Sequence, residues 1–329
     1  MKAIVNIKYG PPDVLQLKEM EKPVPKDDEV LIKIYAVSVN AADWHLLTAD
    51  IFLVRLMGGG FIKPKCNILG ADVAGRIEAV GKNVKQFHPG DEVFGLIAGC
   101  GGFAEYVSAR ENRLVLKPTA LSFEDAAAVP IAAITALQGL RDKGRIQPGQ
   151  KVLINGASGG VGTFAVQIAK LFGAEVTAVC STRNLEMARS IGADHVIDYT
   201  KENFTKNEQR YDLIFAANGF HPISDYKRAL NPSGIYVMAG GSGLQMFEAI
   251  FLGPWISMIG SKKMGMMMAR SNQKDLVYLG ELIKEGKVKP VIDRRYTLSE
   301  VPDALRYLGE GHARGKIVIT VEHNNKTQG

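Results

Sequence analysis

The stretch Asn155-Gly156-Ala157-Ser158-Gly159-Gly160-Val161-Gly162 constrains the fold of this chain more than any other, because it joins an apolar run to an amphipathic one. Ahead of it, Lys151-Val152-Leu153-Ile154 reads as a short buried strand. Behind it, Val161, Ala165, Ile168, Ala169 and Phe172 recur at helical spacing. A strand that turns through glycine into a helix leaves unpaired N–H groups at the helix start, and these, with the helix dipole, favour an anion such as a dinucleotide pyrophosphate. A side chain at Gly159 would obstruct that pyrophosphate, and one at Gly162 would hold helix off strand. Ala157 takes the place of the first glycine in this register. A tight strand-to-helix turn without a ligand is the competing reading.

The next strand, 175–180, ends in Ser181-Thr182-Arg183-Asn184, where an NAD-preferring fold carries an acid for the ribose 2′-hydroxyl. Two hydroxyls and a guanidinium donate to a 2′-phosphate instead, and no carboxylate repels it. NADPH is therefore the expected cofactor, unless Arg183 merely opens the next helix in solvent.

A chain of 329 residues exceeds what one core usually serves, so two domains are expected. The formal charge of +6 is spread among acids rather than gathered in a stripe, which argues against nucleic-acid binding. Cys66, Cys100 and Cys180 are far apart and suggest neither a disulfide nor a zinc knuckle, so a reducing, cytoplasmic setting is expected. Met1-Lys2-Ala3-Ile4-Val5 runs straight into a strand pattern, unlike a signal peptide. The apolar run 246–260 is broken by Glu248, Gly253 and Pro254 and is too short to span a bilayer; core or pocket wall is its expected place.

Three parts follow from the pattern. Residues 1–119 alternate as short strands (3–7, 29–39, 71–80, 92–97, 103–108) with Gly and Pro punctuation, a β-rich unit. Residues 120–286 change to strand and helix in turn, with strands at 151–155, 175–180, 194–198, 211–216, 234–239 and 256–260, which implies a doubly wound parallel sheet of α/β class. An apolar edge strand at 256–260 would pair with its copy, and a homodimer is expected on that ground. Residues 287–329 hold a helix at 301–309 and a strand at 316–321, which needs the sheet of the first unit as host, and then a frayed tail from 323.

With these residues in view, nearly the whole chain resembles the medium-chain dehydrogenase/reductase superfamily, in its zinc-free quinone oxidoreductase-like branch. Besides the glycine loop, the likeness rests on Leu69-Gly70-Ala71-Asp72-Val73-Ala74-Gly75, Val80-Gly81, Pro89-Gly90-Asp91-Glu92-Val93, Gly102-Phe103-Ala104-Glu105-Tyr106 and Gly315-Lys316. The resemblance implies a GroES-like domain built from both chain ends around a central Rossmann domain. Zinc alcohol dehydrogenases place a Cys ligand about where this chain has Asn40, and a His-Glu pair where it has Ala71-Asp72. No metal is expected, since a catalytic zinc needs three protein ligands. A conjugated electrophile then becomes the easier substrate, because it spreads the developing charge itself: hydride adds to the β-carbon of an enone, or to a quinone.

The same resemblance implies a site. Asn40 would donate its amide to the substrate carbonyl, Trp44 would wall the pocket, and Asp43 lies in the same loop; Asn and Asp after a strand also close Asx-turns, so a structural role stays open. Cofactor contacts implied are Asn40, Thr135, the loop 157–162 (Ala157, Ser158, Gly159, Gly160, Val161, Gly162), Ser181, Thr182, Arg183, Tyr199, Asn218, Gly240, Gly241 and Lys316. Asp72 reads as structural. The expected activity is NADPH-dependent reduction of a quinone or α,β-unsaturated carbonyl. The alternatives are reduction of saturated aldehydes or ketones, and a nucleotide-binding protein with little turnover.

Overall fold

The computed structural model describes residues 1–50, 60, 63–97 and 100–323. It divides into two compact units, the first from Met1–Ile131, Ser271–Lys284 and Ile292–Gly329, the second from Ala132–Arg270 and Glu285–Val291. In chain order the first segment holds β1 (Lys2–Val5), β2 (Gln16–Glu19), β3 (Glu29–Val39), α1 (Ala41–Thr48), β4 (Asp72–Val80) and β5 (Glu92–Leu96). After these come β6 (Tyr106–Arg110), β7 (Leu114–Leu116), α2 (Phe123–Ala127) and α3 (Pro130–Gln138). The second unit continues with β8 (Lys151–Asn155), α4 (Gly160–Leu171), β9 (Glu175–Cys180), α5 (Leu185–Ser190) and β10 (His195–Asp198). It is completed by β11 (Tyr211–Ala216), α6 (Ile223–Ala229), β12 (Leu230–Met238), α7 (Gly243–Ile259) and β13 (Lys263–Met266). Then α8 (Gln273–Lys284), β14 (Ile292–Thr297), α9 (Val301–Gly309) and β15 (Lys316–Thr320) rejoin the first unit.

The first unit is built on a seven-stranded sheet, in the order β14-β15-β3-β4-β5-β7 with β6 also against β3. The terminal strand finds its host as expected: β15 lies antiparallel to β3 with Ile317 opposite Val39 and Thr320 opposite Ala36. Val30, Ile32, Ile34 and Val37 of β3 are fully buried, together with Val73, Val93, Phe103, Leu305 and Ile317. Helix α8 belongs to this unit because Gln273 Nε2 donates to Leu114 O at 2.8 Å. The compact units divide at 131/132, and α8, although inside the stretch 120–286 read as one rhythm, belongs to the first unit. His323 is held, its Nε2 lying 2.6 Å from Ile34 O, so the frayed tail does not begin there; residues 324–329 lie outside the described set.

The second unit carries six parallel strands in the order β10-β9-β8-β11-β12-β13. The direction of winding reverses between β8 and β11, the point at whose carboxyl edge open α/β sheets bind their ligands. Five of the six expected strands are present. The sixth is a correction: residues 256–259 close a 17-residue helix, α7, and the strand is β13, with Ile235 opposite Lys263 and Met238 opposite Met266. A continuous apolar run does not distinguish strand from helix, and here Ser242 decides it by capping, its Oγ accepting from Gln245 N at 3.3 Å. With that strand goes the ground for expecting a homodimer. The same run was also expected as core or pocket wall, yet Phe251, Trp255 and Met258 are exposed.

A second correction concerns the cysteines: Cys66 and Cys100 form a disulfide with their Cα atoms 5.8 Å apart. Their 34-residue separation hides this in the sequence. Strands β4 and β5 are antiparallel with Asp72 opposite Leu96, and the ladder extends past their ends through Ile97 N to Ala71 O and Gly102 N to Gly70 O. Residues just before β4 and just after β5 are thereby brought together. Cys180 is free and buried.

Candidate functional site

At the end of β8 the chain turns at Gly156, with φ +79°, and Gly159 caps α4. A Cβ on Gly162 would lie 2.1 Å from Gly156 O, so helix start and turn are in direct contact. A Cβ on Gly159 would meet nothing nearer than Gly156 O at 3.6 Å. The protein has room for a side chain there, and its lack leaves the first-turn N–H groups of α4 approachable, as a pyrophosphate requires. Ala157 is buried, its N–H donating to Val179 O at 3.0 Å.

The neighbouring loops close on this turn. A Cβ on Gly156 would lie 2.8 Å from Asn218 N, and one on Gly240 would lie 2.5 Å from Ala217 O. Gly241 has φ +145°, and a Cβ there would strike Gln245 Oε1 at 2.4 Å. The loop 156–162, Asn218, Gly240 and Gly241 thus gather at the carboxyl ends of β8, β11 and β12. Asn155, the first residue of the glycine stretch, ties them: its Nδ2 donates to Tyr226 Oη at 2.8 Å, and that hydroxyl donates to Gly219 O at 3.3 Å. Thr135 is buried in α3.

Ser181, Thr182 and Arg183 follow β9, with Thr182 and Arg183 exposed. Sequence reasoning missed Asp198, which lies opposite Cys180 in the β9–β10 pairing. The expectation that no carboxylate stands near the 2′ position is corrected by it. Thr182 Oγ1 donates to Asp198 Oδ2 at 2.5 Å, while Thr200 N and Oγ1 donate to Oδ1 at 3.1 and 2.7 Å. The Thr182 hydroxyl above all, then Thr200, holds this carboxyl below its usual range. Tyr199 is exposed and donates its N–H to Cys180 O at 3.1 Å, beside the same strand end.

In the first unit the residues singled out around Asn40 form one buried polar cluster. Asn40 Nδ2 donates to Ser38 O at 3.2 Å and Asp72 Oδ2 at 3.0 Å, and its Oδ1 accepts from Lys316 Nζ at 2.5 Å. Both amide hydrogens and the amide oxygen are therefore engaged. Asp72 further accepts from Ser38 Oγ at 3.0 Å and Ile131 N at 3.1 Å, and lies 3.6 Å from Lys316 Nζ. Asp43 accepts from Asn40 N at 2.8 Å and Gly70 N at 2.9 Å, pinning the start of α1 to the turn before β4.

Burial pushes the Asp43 carboxyl up to about 7, against the pull of the two N–H donors, with the Asp72 charge adding and Lys316 subtracting. Burial likewise raises Asp72, which Lys316 and Asn40 partly restrain, and lowers Lys316, which Asp72 and Asp43 partly restore. Lys316, expected beside the cofactor, places its ammonium inside this cluster. Trp44 lays its ring on Gly309, where a Cβ would come within 2.4 Å of it.

Among the described residues no three His, Cys, Asp or Glu side chains stand together as a metal would need. His45 pairs with Asp50 at 2.8 Å and His88 is largely exposed. A cavity lined by Lys151, Arg210 and Asp212 lies at the amino ends of β8 and β11, the opposite edge from the glycine loop, and has no part in this site.

A doubly wound sheet with an open glycine loop, in a chain whose two ends share a second sheet, is the architecture of two-unit dinucleotide oxidoreductases. The description "Alcohol dehydrogenase GroES-like domain" matches residues 26–119, and "Zinc-binding dehydrogenase" matches 191–319. Over 321 residues the chain is 36% identical to the chloroplast envelope quinone oxidoreductase homolog of Arabidopsis thaliana, covering 93% of each. It is 34% identical over 335 residues to that plant's chloroplastic NADPH-dependent alkenal/one oxidoreductase, covering 97% of this chain and 79% of the other. The quinone oxidoreductase structure from Coxiella burnetii superposes with a TM-score of 0.87 at 31% identity, covering 98% of this chain and 99% of that one. The chain belongs to the medium-chain dehydrogenase/reductase superfamily, in its quinone oxidoreductase-like branch.

Proposed function

We propose that this chain is an NADPH-dependent, zinc-independent reductase of quinones or α,β-unsaturated carbonyls. The observation that carries the cofactor is the open face at Gly159 in front of α4, with Ser181 and Arg183 at the end of β9. The electrophile is argued from the donor set. Asn40 and Ala71-Asp72 stand where zinc enzymes keep ligands, and Cys66 and Cys100 are spent on each other. Relatives named for quinones and for alkenals support the same class.

NADPH supplies the hydride when bound. The N–H groups of the first turn of α4 would hold the pyrophosphate, and Arg183 with Ser181 would donate to the 2′-phosphate. Thr182 keeps its proton on Asp198, so its hydroxyl is unavailable as a donor to the 2′-phosphate. Asn40 stabilises the developing oxyanion by turning Nδ2 from Ser38 O, the longer of its two bonds, while Lys316 and Asp72 hold the amide plane. Asp43 acts through Asn40, by fixing the start of α1. The Cys66–Cys100 disulfide stands against the reducing, cytoplasmic setting expected from the sequence.

The test is an assay of enones, quinones and saturated aldehydes with NADPH and NADH. NADPH should bind more tightly, and Arg183→Ala should narrow the gap by about 1.5–3 kcal/mol, the worth of a charge-assisted bond. Equal affinities in the unmutated protein would remove the 2′-phosphate assignment. A second reading, nucleotide binding with little turnover, is favoured by the fully bonded state of the Asn40 amide. Nucleotide affinity without reduction of any of the three substrate groups would establish that second reading.

A further inference from the structure

The outer face of α7 is the least accounted-for surface of the second unit. Its 17 residues include one charged side chain, Glu248, and that carboxylate already accepts from Ile223 N at 2.9 Å. The inner face is small: Gln245, Ala249 and Gly253 are buried, and a Cβ on Gly253 would lie 2.7 Å from Met264 O on β13. Met246 and Ile256 pack on the core, and most of the other large apolar side chains are turned outward. Leu244, Phe247, Phe251, Trp255, Met258 and Ile259 run the length of the helix at spacings of a turn, and each is more than half exposed. A helix apolar on every side is ordinarily covered, and a continuous stripe of this kind marks a contact surface.

The charges at its end discriminate between occupants. Lys263 Nζ donates to Ser257 O at 2.8 Å, along the last turn of α7, and Lys262 Nζ donates to Lys227 O at 2.6 Å on α6. Lys227 and Arg210 stand close enough to depress Lys262 beyond the effect of its own burial. A second copy packed on this face would offer the lysines no free acid, since Glu248 is the helix's one charged side chain and is bonded to Ile223 N. Anionic headgroups answer them directly, while aromatic and aliphatic side chains enter the boundary below.

We propose that the outer face of α7 docks on an anionic lipid surface, with the helix lying in the interface and Lys227, Lys262 and Lys263 over the headgroups. The helix does not cross: no helix among the described residues is long and apolar enough to do so. A lipophilic electrophile dissolved in that membrane would then be met at its own surface, although the docking is argued independently of the reaction.

The experiment is flotation of the full chain with vesicles of phosphatidylcholine alone and of phosphatidylcholine mixed with phosphatidylglycerol. The anionic vesicles should carry roughly tenfold more protein, as expected where apolar insertion and headgroup attraction act together. The double variant Phe251→Asp/Trp255→Asp should lose that binding on both vesicles with its melting curve unchanged, because both side chains are exposed. Lys262→Glu/Lys263→Glu should lose only the preference for the anionic lipid. Trp255 fluorescence should shift to the blue with vesicles and not in Trp255→Phe. Equal flotation of the unmutated chain and the double-aspartate variant would overturn the proposal. So would a dimer, seen by light scattering, that the aspartates break into monomers while vesicle binding stays as it was.

Discussion

At the start of α4 the geometry is made by side chains that are missing, whereas around Asn40 it is made by side chains that bond one another out of water. Gly156, Gly159 and Gly162 let backbone approach backbone, and Gly159 keeps an opening that the protein itself has no steric need of. Ser38, Asn40, Asp43, Asp72 and Lys316 instead satisfy each other across β3, α1, β4 and β15. The first arrangement tolerates the loss of a ligand; the second does not tolerate the loss of a member, since a buried charge without its partner is costly. Substitutions should therefore separate the two regions by what they damage, binding in one and folding in the other.

The largest effect is expected at Lys316. Lys316→Met strands the Asp72 carboxylate without its cation and should lower unfolding free energy by about 3–5 kcal/mol. Pairing it with Asp72→Asn removes the charge as well, and the double variant should recover most of that loss in urea melts. A single variant as stable as the parent would mean that the ion pair does not hold the cluster together. Next in size is Cys66→Ser/Cys100→Ser, which opens the closed end of the β4–β5 pair and should cost about 2–4 kcal/mol. Reduction of the parent protein by dithiothreitol should shift its melt in the same direction.

The glycine loop offers the cleanest contrast. Gly162→Ala places a methyl against backbone and should cost about 1–3 kcal/mol of stability, as overpacking does. Gly159→Ala meets ordinary contact only, so its melting curve should stay within about 0.5 kcal/mol of the parent, in the range of surface changes. Its NADPH affinity should nevertheless fall about tenfold, measured by fluorescence titration, if the opening seats a pyrophosphate. A Gly159→Ala protein that binds NADPH normally would reduce the loop to a strand-to-helix turn.

The same contrast explains what could be read in the sequence. A glycine pattern is local, spanning eight consecutive residues, and strand, turn and helix announce themselves around it. Five strands of the parallel sheet were equally legible, because each is a short apolar run set off by a helix of different period. Residues 243–259 misled because apolar residues lie on every side and mask the helical spacing; the cap at Ser242, one residue ahead of the helix, was the available signal. Asn40, Asp72 and Lys316 stand in three distant segments that only the β3–β4 and β3–β15 ladders bring together. Family likeness could mark those residues without revealing that they bond one another. Asp198 was hidden in the same way, its place beside Thr182 depending on the β9–β10 register. The strands 71–80 and 92–97 were legible one by one, but the disulfide follows only from their pairing, which the sequence pattern does not give.

The smallest predicted effect is also the most specific to the buried cluster. Because burial holds the Asp43 carboxyl at about 7, the folded chain keeps a proton that the unfolded chain has already released over the interval between the ordinary carboxylate value and 7. The stability this contributes is complete below that interval and is lost as the pH rises through about 7, at about 1.4 kcal/mol per pH unit. Asp43→Asn cannot titrate. It keeps an acceptor for only one of the two N–H donors, Asn40 and Gly70, and should be less stable than the parent by about 1–2 kcal/mol in acid. That deficit should vanish and then reverse as the pH rises, because the parent loses about 1.4 kcal/mol per pH unit up to about 7 while the variant loses nothing, so urea melts should favour the parent at about pH 4 and the variant at about pH 8. A deficit that stays constant across the interval would place the proton on Asp72, the other carboxyl raised by burial, and leave Asp43 ionised as the anchor of α1.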